Sequence, residues 1–161
     1  MKYDEKEIEK LYLENLTRAQ DLLGSLPVAE GRRPTTKGLN GWIYEQTIRY
    51  CLCEELKELG TVPAMEEQVR LRGRVKVDML VGKAAIEIKA LGIFGKNDEQ
   101  KYSAYRVSAE EKGWSYFYLT RGESYSPYRT AMQATFGDER AFFLDTPGDW
   151  ERFVKGVLKK C

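Results

Sequence analysis

The stretch RGRVKVDMLVGKAAIEIKA, residues 72 to 90, constrains the fold more than any other part of the chain. Two short β-prone runs meet at Gly82-Lys83, and a two-residue loop with glycine first is what a type II′ hairpin turn favours. That turn fixes one register. Val81 faces Ala84, Met79 faces Ile86, Val77 faces Ile88 and Val75 faces Ala90, so one face is apolar throughout, while the other carries Lys76, Asp78, Glu87 and Lys89. A slip of one residue would turn the whole apolar set outwards, so the register is well specified.

The polar face is less comfortable. The same register sets Asp78 opposite Glu87 and Lys76 opposite Lys89. At Cβ separations of roughly 4.5–5.5 Å, like charges placed this way destabilise a sheet. A solvated hairpin surface, relieved by diagonal Lys–carboxylate contacts, is one reading. The other is chemical: two carboxylates beside a lysine supply the hard oxygen donors that a divalent cation such as Mg2+ requires.

The rest of the composition narrows what that chemistry can be. The chain has no histidine, which excludes Ser-His-Asp and Cys-His nucleophilic systems, His-ligated zinc and phosphodiesterases with a histidine base. Catalysis is left to carboxylates, lysine, tyrosine and a metal. Lys and Arg number 26 against 25 Asp and Glu, so any basic footprint for nucleic acid has to be local. Cys51, Cys53 and Cys161 are odd in number, and the first two point apart on an expected helix, which suits free thiols. The charged start MKYDEKEIEK lacks the apolar core of a signal peptide. No apolar run approaches the roughly 20 residues that span a bilayer, so a cytoplasmic protein with no membrane partner is expected.

The 161 residues suit a single domain. Its first part, residues 1–38, holds a helix over 4–23 with Ile8, Tyr12, Leu16, Ala19 and Leu23 on one face, then a loop bearing Arg32, Arg33 and Lys37 among Gly and Pro. The central part, 39–120, opens with a helix from about Leu39 to Leu59 whose expected inward face is Tyr44, Ile48, Cys51, Leu52 and Leu59, with Glu45 one residue from that face. A strand around EEQVRL and the hairpin follow, giving three adjacent antiparallel strands. A helix capped by Asn97 with Gln100 runs to Gly113, and WSYFYLT is a strand that a helical crossover would lay parallel to a neighbour. The last part, 121–161, reads as an irregular or partly helical segment, a short strand AFFLD and a helix with Thr146 as N-cap and Pro147 at its first position. The fold class is therefore α/β: a central mixed β-sheet, an antiparallel hairpin core plus a parallel-crossover strand, flanked by helices.

A helix carrying Glu45, then a hairpin with Asp78 and the Glu87-Ile88-Lys89 triplet, then helix and strand, resembles the PD-(D/E)XK phosphodiesterase superfamily. Asp78 matches the motif aspartate, Glu87 and Lys89 the (D/E)-x-K, and Glu45 the frequent acidic residue of the preceding helix; the likeness covers roughly residues 39 to 120. Val77 stands where the motif's name has proline, and the tyrosines after Gln100 are at 102 and 105 rather than at the fourth position. The resemblance implies a restriction-endonuclease-like fold and a metal-dependent nuclease acting on DNA, of restriction, mobile-element or repair type. It implies Asp78, Glu87, the Ile88 carbonyl and Glu45 as ligands of Mg2+ or Mn2+, and Lys89 as the residue that orients or deprotonates water or neutralises developing charge. It also suggests a symmetric homodimer. Arg32, Arg33, Lys37, Arg70, Arg72, Arg74, Lys96 and Lys101 are the candidate phosphate contacts, with the tyrosines at 102, 105, 116, 118, 125 and 128 as candidate stacking surfaces. Two alternatives stay open: a non-catalytic nucleic-acid-binding or assembly module on the same fold, and a structural α/β domain with a coincidental charged hairpin.

Overall fold

The computed structural model describes residues 1–29, 31, 35–91, 95–122 and 126–161. Helix α1 (Glu5–Ser25) leads through a 3-10 turn (Thr36–Gly38) into α2 (Asn40–Glu58). Strands β1 (Met65–Arg72), β2 (Val75–Val81) and β3 (Ala84–Lys89) follow, then α3 (Lys96–Glu111), β4 (Ser115–Thr120), α4 (Ser126–Phe136), β5 (Ala141–Phe143) and α5 (Asp149–Leu158). The strands form one open sheet in chain order, β1 to β3 antiparallel and β3, β4 and β5 parallel. The mixed α/β sheet expected from the sequence is thus present. No helix among the described residues is long and apolar enough to cross a membrane.

Helices cover both faces of the sheet. On one, α1, α2 and α5 pack Ile8, Ile48, Leu52, Trp150 and Phe153 against Met79, Ile86, Ile88, Phe117 and Leu119. On the other, α3 and α4 bring Tyr102, Ala109, Met132 and Phe136 against Ala85, Tyr116, Tyr118 and Phe143. Residues 116 to 119 alternate between the two layers, so the middle of β4 carries large hydrophobic or aromatic side chains at every position, as a strand buried on both sides must.

The hairpin register is the expected one where the ladder exists: Val81 pairs with Ala84, Leu80 with Ala85 and Met79 with Ile86. Gly82 has φ of 56° and is the loop residue of this turn with positive φ, as the first position of a type II′ turn requires. The last residues of the chain seat against it. Lys83 N donates to the Lys160 carbonyl at 2.9 Å, and a Cβ on Gly82 would lie 2.5 Å from that oxygen.

Past Met79–Ile86 the expectation fails. The direct rungs Asp78–Glu87 and Lys76–Lys89 do not form, because the ladder ends there and Asp78 turns its carboxylate to the backbone of Ile88. Nor is one face apolar throughout. Val77, with Val75 packed against it, belongs to the α3/α4 layer, whereas Met79 and Val81 belong to the α1/α2/α5 layer. The change of face coincides with a break opposite: the β1–β2 register passes from Glu67–Met79 to Val69–Val77 without a Gln68–Asp78 rung, and Gln68 has φ of 51°. A left-handed residue in a strand re-aims the side chains around it, and Asp78 lies at that point.

Two helix starts also differ. α3 begins at Lys96 after Gly95, with the Asp98 carboxylate accepting from Gly95 N at 3.0 Å, so Asp98 rather than Asn97 satisfies the free amides. α5 begins at Asp149 after Gly148, whose φ of 90° turns the chain, and Thr146-Pro147 lie before the helix. Asp149 instead accepts from Phe143 N at 2.8 Å and so ties α5 to β5.

α2 is held from a distance. The Glu55 carboxylate is 1% exposed, yet it accepts from Lys2 N at 3.0 Å, Tyr3 N at 2.7 Å and Trp150 Nε1 at 3.4 Å. A buried carboxylate needs such donors, and here they come from parts of the chain far apart in sequence. All three cysteines are free thiols, and burial pushes that of Cys51 up to about 12.

Candidate active site

The break in the hairpin places the charged residues. Lys89 O accepts from Arg121 N on the β4 side at 3.0 Å, so strand alternation turns the N–H and C=O of Ile88 towards β2. No β2 backbone meets them. Asp78 Oδ2 accepts from Ile88 N at 2.8 Å instead, and Gln68 Nε2 lies 3.5 Å from Asp78 Oδ1. A side chain thus replaces a strand rung, and the Ile88 carbonyl is left facing the same opening.

α2 closes that opening from one side. Trp42, Glu45, Gln46 and Arg49 recur at intervals of three and four residues, one helical face. They meet Glu67 and Gln68 of β1, Asp78 and Met79 of β2, and Ile88 of β3 around a cleft of about 40 Å3. Glu67 fastens the helix to β1, accepting from Gln46 Nε2 at 2.9 Å and pairing with Arg49. Glu45 remains inside the cleft, and its carboxyl is pushed up to about 7, first by burial and then by the charge of Asp78, with Glu87 and Glu67 adding and Lys89 opposing.

Glu87 occupies the other side of β3. It is 7% exposed and lies between donors: Tyr102 OH at 3.4 Å, Tyr116 OH at 3.3 Å and Lys89 Nζ at 2.5 Å. Burial, then the charge of Asp78, holds its carboxyl above the usual range. Burial also pushes the phenols of Tyr102 and Tyr116 far up, so they stay neutral donors. For Lys89 burial alone would depress the ammonium, but the charges of Glu87 and Asp78 outweigh it and hold it above its ordinary value.

Asp78, Glu87, Lys89 and Glu45 therefore sense one another's charge around the open end of the hairpin. Among the described residues, however, no group of three or more carboxylate or cysteine side chains converges as a ready-made metal cage. The donor chemistry still suits a hard divalent cation. Glu45 and Asp78 line the cleft with Ile88, Glu87 stands on the other side of β3, and Glu45 and Glu87 are held above their ordinary values by burial and then by the charge of Asp78.

The expected phosphate contacts divide. Arg70 and Arg72 on β1, Arg74 in the following turn, and Lys96 and Lys101 on α3 are all exposed, and chain direction puts them at the Lys89 end of the sheet. Lys101 pairs with Asp98 at 3.0 Å and sits 4.4 Å over the ring of Tyr102, one of the phenols on Glu87. Lys37 is exposed in the 3-10 turn before α2. Arg32 and Arg33 lie outside the described residues, as does Tyr125. Tyr102, Tyr116 and Tyr118 are core residues, which removes them as stacking surfaces; Tyr105 and Tyr128 are half-buried.

Sequence reasoning missed the two phenols on Glu87, the Gln46–Glu67–Arg49 fastening and Gln68. The helical spacing of 42, 45, 46 and 49 was a readable signal for a polar face directed at the hairpin. Nothing marked Gln68, a residue type with little preference for the left-handed region. A scan against protein-family models, a search of curated proteins and a search of solved structures each find no match to this chain.

Proposed function

We propose that this protein is a metal-dependent nuclease that hydrolyses DNA phosphodiester bonds, an endonuclease of restriction, mobile-element or repair type on a restriction-endonuclease-like fold. The observation that carries the reading is the opened hairpin: the ladder stops after Met79–Ile86, and Asp78 reaches the Ile88 amide beside Glu87 and Lys89. A sheet built only for stability gains nothing from giving up rungs there to crowd carboxylates.

Asp78 and Glu87, with the Ile88 carbonyl and Glu45, would hold Mg2+ or Mn2+. When bound, such an ion supplies a water of lowered pKa and stabilises charge on phosphoryl oxygens. The chain's own groups do the rest. Lys89, kept charged by its carboxylate neighbours, neutralises charge developing at the phosphate. Tyr102 and Tyr116 position Glu87 through their hydroxyls. The exposed cations at the Lys89 end of the sheet meet the phosphate backbone, and a symmetric dimer would present two such sites to two strands.

The test is cleavage of supercoiled plasmid, single strands and a four-way junction in Mg2+, Mn2+ or EDTA. Asp78→Ala, Glu87→Ala and Lys89→Ala each lower cleavage by at least roughly 10²-fold, the scale seen when one preorganised electrostatic group is lost, and Glu45→Ala lowers it less. Normal cutting by both strand-carboxylate variants would sink the assignment. No cutting by the parent protein, with tight DNA binding retained, would move it to a non-catalytic module.

A further inference from the structure

We infer that Trp42 is a stacking platform for a nucleobase left unpaired next to the phosphate at the candidate site, so that the substrate class is nucleic acid with a locally open structure: a single strand, flap or junction. This rests on the nuclease reading above and adds what that reading leaves open.

Three observations carry it. Of the three tryptophans, Trp150 is 0% exposed and Trp114 is half-buried, whereas Trp42 is 58% exposed. Its indole is not covered from within: among the described residues no ring stacks on it and no cation sits over it, in contrast to exposed Tyr50, whose ring lies 6.3 Å from that of Tyr3. And it is placed at the chemistry, one helical turn before Glu45 on the same face of α2, lining the same cleft as Glu45, Asp78 and Ile88.

The size of the cleft decides how a base can be read there. About 40 Å3 holds no more than a few waters, each of which needs roughly 10–15 Å3 of such space. A cation or a water fits; a nucleobase does not. A base beside a phosphate at the cleft must lie on the rim, and on the α2 side the rim is the indole of Trp42. Leu39, one turn earlier and 40% exposed, extends the apolar surface, and exposed Lys37 stands just before it to meet the next phosphate. Among the described residues, the tyrosines that the sequence offers for this task are buried or half-buried.

The type of nucleic acid follows. In an intact duplex both faces of a base are covered by its neighbours, so an indole can stack only on a base that has left the stack. Stacking needs no base-edge hydrogen bonds, so the site selects for open structure rather than for sequence.

The experiment measures binding in EDTA, where no cleavage contributes. Wild type, Trp42→Ala and Trp42→Phe are titrated with a duplex, a single strand and a flapped duplex carrying 2-aminopurine at successive unpaired positions. Trp42→Ala weakens binding to the open substrates by roughly 5- to 150-fold, the range for losing one aromatic–base stack. Trp42→Phe recovers most of it, duplex affinity stays as in the wild type, and the fluorescence of one 2-aminopurine position responds only when an aromatic ring stands at residue 42. Equal loss on duplex and open substrates overturns the inference, as does no response at any position, or an effect of Trp42→Ala confined to the oligomeric state, which would make the indole a contact with a second copy of the chain. The two readings fail separately. Trp42-dependent selectivity without metal-dependent cutting refutes the nuclease alone, and cutting indifferent to Trp42 refutes the platform alone.

Discussion

Along β3, the edge shared with β4 keeps six consecutive rungs, Ala84–Ser115 to Lys89–Thr120, whereas the edge shared with β2 keeps three and lets go at Met79–Ile86. The parallel half is regular and buried on both sides: Phe117 and Leu119 point to one layer, Tyr116 and Tyr118 to the other. The antiparallel half carries the left-handed Gln68, the missing rung and a strand whose side chains change face. The difference teaches how one strand can be held rigidly along one edge and left open along the other. β4 fixes the position of Glu87, Ile88 and Lys89 from behind, and the retreat of β2 bares their other edge.

If the parallel half is the rigid wall, damage to it should be costly and should reach the site. The Phe136 ring stacks on Tyr118 at 4.8 Å and lies 5.6 Å and 5.8 Å from Tyr116 and Tyr102, the phenols that hold Glu87. Phe136→Ala should cost about 3–5 kcal/mol in urea unfolding. A cost under about 1 kcal/mol, the level of tolerated swaps, would show that this wall is not what braces the site.

On the open side, charge rather than packing should set the stability. The carboxyl of Glu45 titrates in the folded protein at about 7 against 4.5 as its ordinary value. The folded state therefore holds this proton more tightly than the unfolded chain. In EDTA the resulting stability is fully present below about pH 4.5 and is lost as pH rises to about 7. Glu87, raised in the same direction, adds to the slope. Glu45→Gln should flatten that decline without abolishing it, as read from melting temperatures across the range; an unchanged slope would remove Glu45 from the crowded group.

The smallest effect sharpens the contrast at its origin. Left-handed backbone costs a residue with a side chain roughly 1–2 kcal/mol, and the extra freedom of glycine returns about half to one of these. Gln68→Gly should thus stabilise the fold by up to about 1 kcal/mol in chemical denaturation, an unusual gain for glycine inside a strand. Destabilisation would mean that Gln68 is held by its contacts and stores nothing.

The same contrast separates what the sequence reveals from what it hides. The turn at Gly82-Lys83, the three hairpin rungs, the order of the first three strands and the parallel crossover all follow from local rules of periodicity and turn chemistry, and each is present. The change of face between Val77 and Met79 follows from no such rule, since alternation would keep them together and Gln68 carries no turn signal. Tyr102 reaches Glu87 from α3 only through tertiary packing. Asn97 and Thr146 have side chains that suit a cap, but at α3 the Asp98 carboxylate takes the Gly95 amide, and at α5 the positive φ of Gly148 sets the start. At the site itself, Asp78, Glu87 and Lys89 stood out by their opposition across the hairpin, whereas the departure from that opposition, with Asp78 on the Ile88 amide, needed the structure.

One feature of α2 bears on the order in which the molecule is made. Glu55 fastens residues 2 and 3 to residue 150, and Trp150 N in turn donates to Glu5 at 2.8 Å. A chain emerging from the ribosome can pair its hairpin as soon as residue 89 is free, because those contacts are local, but the lower end of α2 has no complete seat until α5 arrives. Glu45 rides on that helix. A nascent chain thus presents Asp78, Glu87 and Lys89 well before the helical carboxylate is locked beside them, and the full constellation is assembled only once α5 has emerged.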